Sequence, residues 1–188
     1  MTDDRARSER SSPPDAAARA RRIALVVTDN DGVLTDGTVY VSASGEAMKV
    51  YSVRDGMGVE RLRDAGIATG ILTREPPTLI ARRAAKLELR YLWTAVRDKR
   101  AHLGPILEQT NLSLDRIAYI GDDLNDLEII AAIGEVGLTA APADAMPRVR
   151  EAVHHVCDVP GGRGAFRDFA EWLLRLRSTG PTGHGGPR

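Results

Sequence analysis

The sequence predicts an α/β protein built on a doubly wound parallel sheet, and two patterns carry that expectation. Short apolar runs alternate with amphipathic stretches through the middle of the chain, and acidic or hydroxyl residues follow directly on several of the apolar runs. Strand, helix, strand repeated in this way implies parallel strands covered by helices on both faces. The expected strands are Ile23–Thr28, Ile67–Thr73, Leu89–Leu92, Ile117–Gly121, Val136–Leu138 and His154–Val156. The expected helices are Gly56–Ala65, Pro77–Leu87, Lys99–Gln109, Leu124–Ile133 and Ala165–Leu176. One stretch breaks the rhythm. Thr38–Ser42 and Glu46–Ser52 alternate Val39, Val41 and Met48, Val50 around a turn at Ala43–Gly45, which predicts an inserted β-hairpin.

Composition bounds the rest. At 188 residues and 43% hydrophobic content the chain suits one domain with one real core. Lys and Arg number 26, as do Asp and Glu, so no global field recruits nucleic acid or an acidic membrane. Any attraction to an anion must be local. Cys157 is the only cysteine, which excludes an internal disulfide and suits a reducing compartment. Apolar runs such as Ile23 to Val27 are too short for a signal-peptide core or a membrane span, so a cytoplasmic protein is expected. Residues 1–20 carry few large apolar side chains and read as a disordered arm, residues 21–177 as the folded domain, and the glycine- and proline-bearing residues 178–188 as a flexible tail.

The first strand runs into Thr28-Asp29-Asn30-Asp31-Gly32. Two carboxylates one residue apart, just past a buried strand, carry a cost in repulsion and desolvation that a divalent cation would relieve. An Asx-rich turn is the plainer reading of this pentapeptide alone. The second cluster, Gly121-Asp122-Asp123-Leu124-Asn125-Asp126, again follows a strand. Asp123 or Asn125 could simply cap the next helix, but capping needs one acceptor and this loop offers four. Together the two loops read as a hard-cation site of Mg²⁺ type. Thr73 ends another strand, where its hydroxyl could hold a phosphate oxygen. Lys99 is expected to open a helix, a position the helix dipole disfavours unless the ammonium is aimed inward at a phosphate and Asp29.

The order Asp-x-Asp, Thr, Lys, Gly-Asp-Asp-x-x-Asp resembles the haloacid dehalogenase superfamily of phosphatases across nearly all of residues 23–177. Response-regulator receivers use similar residues but place the lysine last. Asp31-Gly-Val-Leu-Thr-Asp-Gly37, the hairpin and Gly161-Gly-Arg-Gly-Ala165 resemble the capless branch that dephosphorylates 3-deoxy-ulosonate phosphates. That branch includes 3-deoxy-octulosonate 8-phosphate phosphatases and nonulosonate (sialic-acid-type) 9-phosphate phosphatases. A related, non-catalytic module forms the C-terminal domain of animal CMP-sialic acid synthetases. Ile71-Leu-Thr-Arg-Glu75 and Arg82-Arg-Ala-Ala-Lys-Leu87 lie closer to the nonulosonate group, which is therefore the first expectation, with the octulosonate ester as the alternative. Asn30 and Arg74 depart from the family pattern, which prefers an apolar residue between the aspartates and a glycine after the threonine.

The resemblance implies a sheet core with no cap domain, and an aspartyl-phosphate mechanism. Asp29 would be the nucleophile, Asp31 the general acid and base, and Thr73 and Lys99 the binders of phosphoryl oxygens. Mg²⁺ would be held by Asp29, the carbonyl of Asp31, and Asp122, with Asp123 and Asp126 behind them. For a sugar-acid phosphate, Glu75 would accept hydrogen bonds from hydroxyls, while Arg83 and Lys86, three apart on one helix face, would meet the carboxylate. A solvated charged face is the plainer reading of that pair. Arg163, on its glycine-rich segment, would reach a neighbouring subunit's pocket, and hairpins packed between copies would build a homotetramer.

Overall fold

The computed structural model describes residues 13–179. Its frame is a parallel sheet of six strands whose chain positions are β1 Leu25–Thr28, β4 Ala68–Leu72, β5 Tyr91–Trp93, β6 Ile117–Ile120, β7 Leu138–Ala141 and β8 His155–Val156. Their spatial order is β5-β4-β1-β6-β7-β8. The chain works outward from β1 through β4 to β5, then crosses back to lay β6 on the other side of β1. Leu25 pairs with both Ala68 and Ile117, and Thr28 with both Ile71 and Ile120. Winding reverses at β1 and β6, and ligand sites of such sheets lie beyond the carboxyl ends of the strands at that reversal.

Alternation along the central strands feeds two cores. Val26, Ile71, Ala118 and Ile120 point to one face, where helix α1 (Ala16–Arg22), helix α2 (Val53–Asp64) and helix α7 (Ala165–Ser178) bury Leu62, Phe166 and Phe169. Leu25, Val27, Leu72 and Tyr119 point to the other, against Ile106 of helix α4 (Leu103–Thr110) and Ile129, Ile130 and Ile133 of helix α5 (Leu127–Gly134). Both faces are covered, so β1 and β6 are buried at every residue.

Several boundaries differ from the sequence reading, each for a local reason. The expected disordered arm overlaps α1, which begins at Ala16. Ala16 and Ala20 are buried, and Arg19 reaches the carbonyls of Gly134 and Gly137 at 2.9 and 3.1 Å. Small alanines and one arginine dock this helix without the large apolar side chains a core helix usually shows. The remainder of the expected arm, residues 1–12, and residues 180–188 of the expected tail lie outside the described residues. Helix α3 (Ala81–Lys86) starts four residues later than expected, after a turn at Pro77. Helix α6 (Pro147–Ala152) was not expected; Pro147 stands at its first turn, where the missing N–H costs nothing.

The inserted hairpin is present as β2 (Tyr40–Ser42) and β3 (Gly45–Met48), antiparallel, with a bulge between Tyr40 and Val41. All seven of its strand residues are exposed. Its expected second strand ran to Ser52, but after Met48 the chain leaves the hairpin, and Lys49 and Tyr51 turn in towards the sheet edge.

Candidate active site

Four segments meet at the carboxyl edge of the sheet. The Asp29 N–H donates to the Ile120 carbonyl at 3.0 Å, continuing the β1–β6 ladder by one step and fixing Asp29 where the strand ends. Thr73 is tied the same way, donating its N–H to Trp93 and accepting from Val96. Gly32 takes a positive φ of 82°, and a Cβ there would overlap the Asp122 carboxylate. Glycine is therefore what lets the first acidic loop lie against the second.

Lys99 lies beneath these loops. It sits in a turn ahead of α4 rather than opening the helix as expected, so the helix dipole does not oppose it. Its Nζ lies 2.6 Å from Asp29 Oδ2 and 2.6 Å from Asp126 Oδ1, and its side chain is wholly buried. Asp126 Oδ1 also accepts the Tyr119 hydroxyl at 2.6 Å, while Oδ2 accepts the N–H groups of Asp122 and Asp123 at 3.0 and 3.3 Å. Four donors satisfy this fully buried carboxylate, which is how it persists without water. Asp123 caps the short 3₁₀ turn at Leu124–Asp126 and also lines the pocket mouth.

The Asp31 carboxylate is held at both oxygens. Oδ1 accepts from Asn30 Nδ2 at 3.1 Å and from Thr35 Oγ1 at 3.0 Å, and Oδ2 accepts from Lys49 Nζ at 2.6 Å. Asn30 is fully buried, and its own Oδ1 takes the Tyr51 hydroxyl at 3.2 Å.

These groups line a hollow of about 370 Å³ that opens between the loops. Asp29, Asp31, Asp36, Glu75, Asp122, Asp123 and Asp144 contribute seven carboxylates to its wall, against the one guanidinium of Arg74. Burial, and then the neighbouring Asp126 charge set against Lys99, lifts the Asp29 carboxyl to about 7. Burial and the charges of Asp29 and Asp126 lift Asp122 to about 8. Such crowding fits a cation. Asp29, Asp122 and Asp126 bring carboxylate oxygens within 4.8 Å of one another. Asp126 is taken up by its four donors, whereas each Asp29 oxygen carries one partner and keeps a second acceptor position, so Asp29 and Asp122, on the two abutting loops, are the pair able to meet a cation. An all-oxygen donor set of this kind suits Mg²⁺.

The remaining sequence candidates divide. Glu75 lines the hollow as expected. Arg83 does not: its Nη2 donates to the Ser52 carbonyl at 2.9 Å and its guanidinium lies 5.2 Å from the Tyr51 ring centre. It braces the segment behind Asn30 instead of facing the pocket. Lys86 is exposed on α3 and lines neither the hollow nor any described ion pair. Arg163 is exposed, and its charge lowers the Asp36 carboxyl behind the larger effect of the Thr38 hydrogen bonds, so within one chain it stands near the rim of its own pocket. The glycines around it pack inward. A Cβ at Gly161 would overlap the Gly32 carbonyl and one at Gly162 the Asp36 backbone, while Gly162 N–H donates to Val33. That segment buttresses the catalytic loop of the same chain.

Sequence reasoning missed Lys49, Thr35, Tyr51 and Tyr119. The only signals were a lysine interrupting an exposed hairpin pattern and a lone hydroxyl inside an apolar strand. It also noted Asn30 only as a departure from the family pattern, whereas Asn30 is a hydrogen-bonded part of the site.

Known proteins resemble this chain in sequence and fold. Residues 92–164 match the model of the haloacid dehalogenase-like hydrolases. The chain is 38% identical over 159 residues to the 3-deoxy-D-manno-octulosonate 8-phosphate phosphatase of Haemophilus influenzae, covering 85% of this chain and 87% of that one. The enzyme of that name from Escherichia coli K12 is 35% identical, covering 85% and 84%. The cobalt-bound structure of the Haemophilus influenzae enzyme superposes with a TM-score of 0.79 at 37% identity, covering 85% and 91%. The corresponding Moraxella catarrhalis enzyme, in complex with magnesium, phosphate and the sugar acid, gives 0.80 at 29% identity, covering 87% and 92%. The chain belongs to the haloacid dehalogenase-like hydrolases, as a phosphomonoesterase of their capless ulosonate-phosphate phosphatase branch.

Proposed function

We propose that this enzyme hydrolyses 3-deoxy-D-manno-octulosonate 8-phosphate through a phospho-aspartate on Asp29. The sequence reading put a nonulosonate 9-phosphate first. The observation that carries the change is 38% identity, over 85% of this chain, to a relative named for the octulosonate ester. The motifs that favoured the other sugar, Ile71–Glu75 and Arg82–Leu87, are two short stretches rather than the whole chain. The non-catalytic reading is disfavoured because Asp29, Lys99 and Asp126 stand at ion-pair distance, Asp31 is held ready, and none is replaced.

Each residue's task follows from its position. Asp29 Oδ2, paired with Lys99, attacks phosphorus. Asp31 gives its proton to the departing sugar oxygen and then takes one from the water that frees Asp29. Thr73 Oγ1 already accepts the Glu75 N–H at 3.2 Å, so its hydroxyl hydrogen is available to a phosphoryl oxygen. Lys99 offsets negative charge from beneath. Asp29, Asp122 and the Asp31 carbonyl would hold Mg²⁺, which when bound neutralises phosphoryl charge and aligns the ester with Asp29. Without such a cation, seven carboxylates would repel a phosphorylated sugar acid. Glu75 would accept sugar hydroxyls.

The cations for the sugar carboxylate would come from assembly. Tyr40, Val41, Met48 and Val53 are 50, 75, 55 and 79% exposed, an apolar face that copies of the hairpin would cover in a homotetramer, bringing Arg163 or Lys86 to adjacent pockets. Light scattering tests the mass, a monomer of full selectivity being the contrary result. Among the described residues no helix is long and apolar enough to cross a membrane. The solitary Cys157, which leaves no internal disulfide to form, supports the expected cytoplasmic setting. The substrate is tested by phosphate release from a panel of ulosonate phosphates with Mg²⁺. The octulosonate 8-phosphate should give the highest kcat/KM, and a preference for a nonulosonate 9-phosphate would restore the first reading.

A further inference from the structure

The Asp31 carboxylate is the most thoroughly restrained group at the pocket wall, and its restraints are asymmetric. A carboxylate oxygen offers two acceptor positions. Oδ1 has both filled, by Asn30 Nδ2 at 3.1 Å and Thr35 Oγ1 at 3.0 Å. Oδ2 has one filled, by Lys49 Nζ at 2.6 Å. We infer that Asn30, Thr35 and Lys49 act as positioning residues that saturate Asp31 Oδ1 and present Oδ2 as the one atom able to pass a proton to and from the reacting oxygens. This rests on the proposed acid–base role of Asp31.

The clamp is anchored from behind. Asn30 also donates its backbone N–H to Asp29 Oδ1 at 2.6 Å, so one residue orients nucleophile and acid together. Its side-chain oxygen is fixed by Tyr51, and Tyr51 is packed under Arg83, which is itself held on the Ser52 carbonyl. Lys49 comes off the end of the hairpin with only 3% of its side chain exposed. It stands 3.7 Å from Glu75 as well, at the junction of the catalytic hollow and a second one of about 320 Å³. A buried ammonium that touches one acid oxygen restricts carboxylate rotation and faces the atom that turns negative when the proton leaves.

The step balances as follows. While the bond from Asp29 to phosphorus forms and the ester P–O bond breaks, the proton on Asp31 Oδ2 moves to the ester oxygen, which departs as a neutral alcohol. In the second half a water oxygen bonds to phosphorus, the Asp29–phosphorus bond breaks, and the water proton returns to Oδ2. Lys49 keeps its protons throughout.

Leaving-group dependence tests this, because a misplaced acid matters only when the departing oxygen needs a proton. The probes are ring-substituted phenyl phosphates from phenyl to 4-nitrophenyl, near-identical in shape and lacking sugar hydroxyls or a carboxylate. The readout is kcat/KM with Mg²⁺, which reports steps only through leaving-group departure. In Lys49→Met the 4-nitrophenyl to phenyl ratio should rise about tenfold over wild type, part of the usual contribution of a placed acid. Asn30→Val should raise it about threefold, losing one of three restraints. Asp31→Asn should raise it most. Parallel losses on every ester in Lys49→Met and Asn30→Val, with a raised ratio in Asp31→Asn, would show that these residues merely support the fold and overturn the clamp. An unchanged ratio in Asp31→Asn would sink the acid assignment and the clamp with it.

Discussion

At the residue scale the site is a problem of charge. Asp29, Asp122 and Asp126 would repel one another in a dry pocket, and the chain answers with one buried lysine, three further hydrogen bonds to Asp126 and a place for a cation. Asp29→Asn keeps the shape and removes the proposed nucleophile, so turnover should fall by about 10⁴-fold or more while the far-UV circular dichroism is unchanged. Tyr119→Phe is the milder test of the floor. It removes one of four donors to a buried carboxylate and should cost about 1–3 kcal/mol in denaturant unfolding, with Lys99 still paired. The catalytic and metal candidates were legible because unfavourable carboxylate pairs at strand ends stand out in a sequence. Asn30, Thr35, Lys49 and Tyr119 were not, because nothing in a chain order says which of many polar residues will fold back on the same oxygen.

At the scale of elements, the sheet was legible where burial is two-sided and strands read as unbroken apolar runs, as in Leu25–Thr28 and Ile117–Ile120. It was less so at β7, expected to end at Leu138 where it begins, because Thr139 and two alanines carry weak strand signals. Helix α1 escaped because alanine packing leaves little hydrophobic pattern. The Gly161–Gly162 segment was read as the carrier of Arg163, yet its glycines are there for closeness to Gly32, Thr35 and Asp36. Gly162 has a φ of 66° and no room for a Cβ. Gly162→Ala should therefore lose about 1–3 kcal/mol of stability and displace the loop carrying Asp31, lowering kcat together with the melting temperature. Normal activity at full stability would show that the loop does not depend on this buttress.

At the scale of the molecule, metal and pH both act on stability, and pH does so outside the pocket as well as within it. Mg²⁺ should raise the melting temperature by binding only the folded carboxylate site, and EDTA should abolish activity until Mg²⁺ is restored. Full activity in metal-free buffer would contradict the site assignment. Away from the pocket, His154 accepts the Thr139 N–H on Nδ1 at 3.2 Å and so sits neutral, its value lowered below 6.5 by burial and then by Arg19. The unfolded chain binds this proton more readily, so the contribution is complete above pH 6.5 and is lost as pH falls through the lower folded value. His154's share of the melting temperature should be lost on that acid side, and His154→Gln should remove that loss relative to wild type.

The central claim, a covalent phospho-aspartate on Asp29 formed from an ulosonate phosphate, has one direct measurement. Enzyme turning over 3-deoxy-D-manno-octulosonate 8-phosphate with Mg²⁺ is quenched in acid, digested and searched by mass spectrometry for a phosphorylated peptide. The account predicts phosphate on Asp29, formed on the timescale of turnover and absent in Asp29→Asn. Phosphate on Asp31 or Asp122, or steady hydrolysis with Asp29 never modified under conditions that trap acyl phosphates, would contradict it.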